Sequence, residues 1–143
     1  IHQFEGTIAR LVSLATLMPL VAGMGGNSGT QALTVTVRSL AAGELSAGTW
    51  RTVGKELVVG LLNGGTFLVA GAALALILYG QPVLAAVFGT ALLLNLVVAA
   101  VLGTTIPLLL DHLGQDPAVA SRVFLTPMTD ALAFLDLASL FLL

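Results

Sequence analysis

The sequence has no cysteine. That excludes a disulfide framework and any thiolate metal site, and it removes the usual clue to redox compartment. Charge is scarce too. Charged residues make up 8% of the 143-residue chain, against about 25% in an ordinary soluble domain. The net charge of −2 excludes the basic footprint of a nucleic-acid-binding protein. The first residues do not read as a signal peptide, since no charged segment leads into a short apolar core and a small-residue cleavage site. What is abundant is hydrocarbon. Hydrophobic residues reach 57% and mean hydropathy is +1.06. Several windows meet the roughly 18-residue apolar criterion for a membrane span. The expectation is an all-α integral membrane protein bathed in a lipid bilayer.

Four spans are expected, at about 11–37, 57–79, 83–110 and 119–143, and together they form one transmembrane domain. Residues 1–10, with His2, Glu5 and Arg10, read as a membrane-surface lead-in. The first span would be roughly 40 Å long, more than a hydrocarbon core of about 30 Å, so it must tilt or bend. Pro19 and the Gly25-Gly26 pair are the expected weak points. Residues 38–56 read as a loop, with Arg38, Glu44, Ser46, Trp50, Arg51, Lys55 and Glu56. Trp50 suits an interfacial anchor. Gly80-Gln81-Pro82 reads as an uncharged turn, and residues 111–117 as the next loop.

Positive charge sets the orientation. Arg38, Arg51 and Lys55 flank one loop and Arg122 lies beside another, so both loops are expected in the cytoplasm and the C-terminus outside. Arg10 dissents and is partly offset by Glu5. The chain begins at Ile1 rather than Met, which points to a clipped N-terminus or a piece of a longer chain. A cytoplasmic N-terminus would then require an additional span before Ile1.

Small and polar residues interrupt the first span at Gly23-Met24-Gly25-Gly26-Asn27-Ser28-Gly29-Thr30-Gln31. In lipid such groups must face protein or a watery cavity. Wound as a helix, Gly23, Gly26, Asn27, Thr30 and Thr34 fall on one stripe, at spacings of three and four. The stripe reads as a wall along which a small hydrated ion could pass. Two other readings fail. A dinucleotide fingerprint starting at Gly23 would need glycine where Ser28 stands, and a phosphate-binding loop would need a lysine before Thr30. Close helix packing through small residues accounts for Gly25 and Gly29. It does not account for Asn27, Thr30 and Gln31 together.

Asp130 is the strongest single residue. It lies eight residues past Arg122, roughly 12 Å along the helix. A carboxylate at the centre of a membrane helix costs about 2.5 to 3.5 kcal/mol on insertion scales, and ionisable groups inside a membrane are functional by default. Thr126, Thr129 and Asp130 share a helical face, which suits ion coordination. The competing reading is a protonated Asp bonded to a neighbouring helix. Asp136 lies about 240° round the helix from Asp130, nearer the face of Thr129. It could line an outer vestibule or be a paired structural Asp. Asn63 and Asn95 read as interhelical hydrogen-bonding amides, worth about 0.6 kcal/mol each. Asp111, Asp116, Glu44 and Glu56 are cytoplasmic-edge acids, and acids at a pore mouth concentrate cations.

The available ligands are oxygens, which argues against soft metals. Mg²⁺ keeps several waters and takes few direct carboxylates, and one Asp with amides and carbonyls suits that. Four spans with one such Asp make a poor pore alone. A C2 homodimer would bring two Asp130 carboxylates together across its axis.

The run from Pro19 through Gly23, Gly25-Gly26-Asn27, Gly29 and Gln31 to Arg38 closely resembles the MgtE family of magnesium channels and transporters. Asp116-Pro117-Ala118 and the later TPMTD, Thr126 to Asp130, are similar to that family's final helix. The resemblance covers nearly the whole chain. It implies a homodimer with five spans per subunit in the cell membrane, in bacteria the inner one. The pore would lie at the dimer axis, and the missing element would be span one. It further implies that Asp130 coordinates hydrated Mg²⁺ and that Asp116 lies at the cytoplasmic edge near a gating helix. A cytoplasmic sensor domain would belong to the parent chain. Ser121-Arg122-Val123 departs from the family pattern at the start of the last helix, and Asp136 stands where an uncharged residue is usual. Animal relatives of the family imply an alternative, a Na⁺/Mg²⁺ exchanger. A solute transporter using a helix break at Gly23 to Gln31 as its substrate site is another alternative. No nucleophile–base pair marks an enzyme.

Overall fold

Four α-helices follow one another: α1 (His2–Ala41), α2 (Thr49–Tyr79), α3 (Pro82–His112) and α4 (Pro117–Leu142). The computed structural model describes the backbone of residues 2–43 and 49–142, and the side chains of residues 12, 13, 15–43, 50–118 and 123–138. The side chains of His2, Glu5, Arg10, Glu44, Ser46 and Arg122, on which parts of the sequence reading rest, lie outside the described residues.

The helix ends follow from local sequence. Pro82 occupies the first turn of α3, and Gln81 before it is extended, as a residue preceding proline prefers. Gly114 ends α3. At φ 70° it takes the left-handed conformation, its N–H bonds the Asp111 carbonyl at 3.0 Å, and the Gln115 N–H bonds the Leu110 carbonyl at 2.9 Å. This pair of bonds is the Schellman stop. Asp116 then caps α4: its Oδ1 accepts the Ala118 N–H at 2.9 Å, with Pro117 at the first helical position.

The helices are longer than the expected spans. Residues 38–41 and 49–56, expected in a loop, are helical. Nothing between Arg38 and Ala41 breaks a helix, and the stop comes at Gly43 with φ 70°. α1 also passes without interruption through Pro19 and Gly25-Gly26. The helix break at Gly23 to Gln31 that a solute-transporter site would need is therefore not there. Two features support the helix through this stretch. Gly25 and Gly29 are braced against α3 and α4, and the Thr30 and Thr34 hydroxyls bond back onto α1 carbonyls.

α3 is the centre of the bundle and packs against α1, α2 and α4, whereas α1 and α2 scarcely touch. One face of the core joins Leu17 and Val21 of α1, Phe88 and Leu92 of α3, and Ala133 and Leu137 of α4. Small residues set the close approaches. A Cβ on Gly64 of α2 would meet Leu93 side-chain and backbone atoms at 2.8 to 3.3 Å, and one on Gly89 of α3 would meet the Leu68 carbonyl oxygen at 2.7 Å. Gly103 crosses α1 directly over the Gly29 carbonyl. Among the described residues, α2 and α3 are long and apolar enough to cross a membrane. The other two helices are those that carry Asn27, Thr30 and Gln31, and Asp130 and Asp136.

Candidate functional site

The glycine-rich stretch of α1 divides into two faces. Leu17, Val21, Gly25, Gly29, Ala32, Leu33 and Thr36 are buried, in the i, i+3, i+4 rhythm of a helix seated on neighbours. Gly25 lies against the Asn95 side chain. Gly29 sits where three helices meet, so a Cβ there would meet Leu125 methyls at 3.1 and 3.2 Å and the Ala99 carbonyl oxygen at 3.3 Å. The other face looks away from the chain. Gly23, Asn27 and Thr34 are exposed, and Gly26 and Thr30 are half-buried. A Cβ on Gly23 or Gly26 would meet nothing within 4 Å. Packing inside this chain accounts for Gly25 and Gly29 and leaves Gly23 and Gly26 unaccounted for.

The hydroxyls on the outward face are already oriented. Thr30 Oγ1 donates to the Gly26 carbonyl at 2.8 Å, and Thr34 Oγ1 donates to the Thr30 carbonyl at 2.7 Å. With each proton committed to the helix, the oxygen lone pairs remain as acceptors. Asn27 adds an amide oxygen with no bond to any described residue.

On α4, Asp130 and Thr126 are exposed, whereas Thr129 is fully buried and donates to the Thr126 carbonyl at 2.9 Å. The expected face of Thr126, Thr129 and Asp130 is thus split, and Thr129 belongs to the core side with Leu125 and Ala133. The antiparallel register fixes Asp130's depth. Gly29 meets Leu125, and Leu17 and Val21 share a core with Ala133 and Leu137. Moving toward the α1 N-terminus therefore means moving toward the α4 C-terminus, and Asp130 falls level with residues 23–26. Gly23, Gly26, Asn27 and Thr30 of α1 and Thr126 and Asp130 of α4 therefore lie at neighbouring depths, with Thr34 further along α1.

Asp116 stands apart. It caps α4 and lies fourteen residues before Asp130, about 21 Å along the helix axis. Asp136 lies on the side of Thr129, as expected, and its Oδ2 is buried with no partner among the described residues. Of the two expected interhelical amides, Asn95 is fully buried and donates to the Val21 carbonyl at 2.7 Å, while its Oδ1 is without a partner among the described residues. Asn63 makes no such bond among the described residues and faces a cleft instead. Gly103, which seats α3 on α1, has no signal of its own in the sequence.

Among the described residues no three His, Asp or Glu side chains converge. A lone carboxylate cannot strip and chelate a small hard cation. It can receive hydrogen bonds from the waters such a cation retains.

The family model MgtE, described as a divalent cation transporter, matches residues 18–140. Similar curated proteins include the magnesium transporters MgtE of Bacillus subtilis, Thermus thermophilus and Enterococcus faecalis. The first is 36% identical over 136 residues, covering 94% of this chain and 30% of the relative. The second is 37% identical over 148 residues, covering 99% and 32%. The third is 35% identical over 150 residues, covering 99% and 32%. The chain thus spans about a third of the length of these relatives.

Proposed function

Because the chain belongs to the MgtE family of divalent cation transporters, we propose that it moves Mg²⁺, still largely hydrated, along the outward face of α1 and α4. Asp130 is the principal coordinating carboxylate. Gly23, Gly26, Asn27, Thr30 and Thr34 form the wall, with Thr126 beside the carboxylate. The glycines keep the wall flat enough for a hydrated ion to approach the backbone. The amide and hydroxyl oxygens accept hydrogen bonds from its waters, and Asp130 supplies the charge.

The observation that carries this reading is the division within one motif. Gly25 and Gly29 are filled by neighbours, while Gly23 and Gly26 open outward at the depth of Asp130. That face turns away from the chain's own helices, so a second wall must come from elsewhere. A second copy related by a two-fold axis supplies it, bringing two Asp130 carboxylates to one path. The homodimer sits in the cell membrane as a multi-pass protein of five spans per subunit, with the C-terminus outside.

The test is Mg²⁺ flux into liposomes carrying the protein or its Asp130→Asn variant. Loss of flux in a folded, dimeric variant is expected. Undiminished flux would make Asp130 a structural residue and move the path to another face.

A further inference from the structure

α1 and α2 diverge over α3, and between them is a cleft of about 210 Å³. Its walls carry Asn27, Ser28 and Gln31 from α1 and Asn63 and Phe67 from α2, with Leu96 of α3 as its floor. None of the four polar side chains bonds to another described residue. The cleft is also deep. Fourteen residues of α2 precede Asn63 and sixteen follow it, and Leu96 holds the same position within α3. Facing lipid, the Asn63 amide at mid-length of apolar α2 and the two amides and hydroxyl of α1 beside it would be left without partners, so the cleft must hold something polar.

We propose that this cleft is a second, uncharged station for the hydrated cation, set to the side of Asp130 and reached past Asn27. The inference rests on the cation-transport reading above. Asn27 connects the two places, since it belongs to the outward stripe and also lines the cleft. The volume holds about seven waters at ~30 Å³ each, enough for an ion with its inner shell. The chemistry suits a hydrated cation: the amide oxygens and the Ser28 hydroxyl accept hydrogen bonds from bound water. No Asp or Glu lines the cleft, so the ion is held loosely enough to leave, as conduction requires.

The chain's lack of cysteine provides the test. Asn63→Cys and, as a control, Leu62→Cys are introduced singly into the protein in liposomes. Each is treated with a charged, membrane-impermeant methanethiosulfonate, with and without millimolar Mg²⁺. Leu62 is 67% exposed on another side of α2. The Asn63→Cys thiol is expected to react at least tenfold faster than the Leu62→Cys thiol, and Mg²⁺ is expected to slow the former severalfold and leave the latter unchanged. Equal rates would overturn the proposal, since the cleft would then be dry or covered by another polar helix. Fast reaction that Mg²⁺ does not slow would also overturn it, leaving a water pocket only. If Asn63→Cys does not fold, Ser28→Cys, a one-atom exchange, gives the same readout. Repeating the measurement with Asp130→Asn separates the two readings. Mg²⁺ protection that survives supports an independent station whatever the flux does. Protection that vanishes assigns the ion to Asp130 alone and overturns the station.

Discussion

The Asn95 amide of α3 donates to the Val21 carbonyl of α1 at 2.7 Å, and it passes over Gly25 to do so. The bond and the glycine are one device. Without a Cβ at position 25 the amide fits flat against α1, and the wall that carries Gly23, Gly26 and Asn27 is seated at a fixed rotation on α3.

This coupling predicts non-additive energetics. Asn95→Ala removes one interhelical bond, with an expected cost of about 0.6 kcal/mol and at most roughly 1.7 kcal/mol. Gly25→Ala drives a methyl into the amide and is expected to cost about 1 to 3 kcal/mol. The double variant should lose less than the sum, because the shortened side chain at position 95 makes room for the methyl. Denaturant unfolding in detergent measures all three. Strict additivity would separate the two residues.

The two classes of glycine predict opposite phenotypes. Gly29→Ala and Gly103→Ala crowd the crossing of α1 and α3 and are expected to destabilise by about 1 to 3 kcal/mol. Gly23→Ala and Gly26→Ala meet nothing in the chain, so stability should hold or rise by up to about 1 kcal/mol, as alanine is the better helix former. Under the proposed function they should nevertheless lower Mg²⁺ flux. Thermal midpoints beside liposome flux distinguish the classes.

Asp130 is exposed. Asp130→Asn is therefore expected to leave stability within about 0.5 kcal/mol of the parent, because it removes no bond to a described residue. A large drop in stability would mean that Asp130 is bonded within the fold and would weaken its assignment to an ion path.

Asp116 is a cap. Asp116→Ala should cost about 1 kcal/mol, within a range of 0.5 to 2, while Asp116→Asn or Asp116→Ser should cost a few tenths. If Asp116 also attracts cations, as the proposed function would have it do from the cytoplasmic edge, Asp116→Asn would reduce flux at low ionic strength while leaving stability intact.

The sequence announced the helices because its apolar runs are long and its Pro and Gly punctuation is local. Pro82, Gly114 and Asp116-Pro117 act within a turn of where they stand. It also announced the outward stripe, since residues three and four apart on one helix must share a side. It could not announce what each side meets. Thr129 shares a helical face with Asp130 by spacing, yet α4's seating buries one and exposes the other. Asn63 and Asn95 are alike as mid-span amides. Only α1's position beside α3 and away from α2 gives Asn95 a carbonyl and leaves Asn63 facing a cleft. The helix ends at Ala41 and Thr49 were obscured because hydropathy marks where hydrocarbon stops, and a helix can continue into the headgroups.

The near absence of contact between α1 and α2 bears on how the molecule is made. A chain leaving the ribosome delivers α1 before α2, and these two offer each other almost no surface. Among the described helices, the first extensive pairing available is the hairpin of α2 and α3, joined through Gly80 and Gln81. Until α3 arrives, the glycines at 25 and 29 lack the Asn95 side chain and the Ala99 carbonyl that they pack against. Within these four helices the seating of α1 therefore waits for the synthesis of two more, and the docking of Asn95 onto Val21 is one of the contacts that completes it.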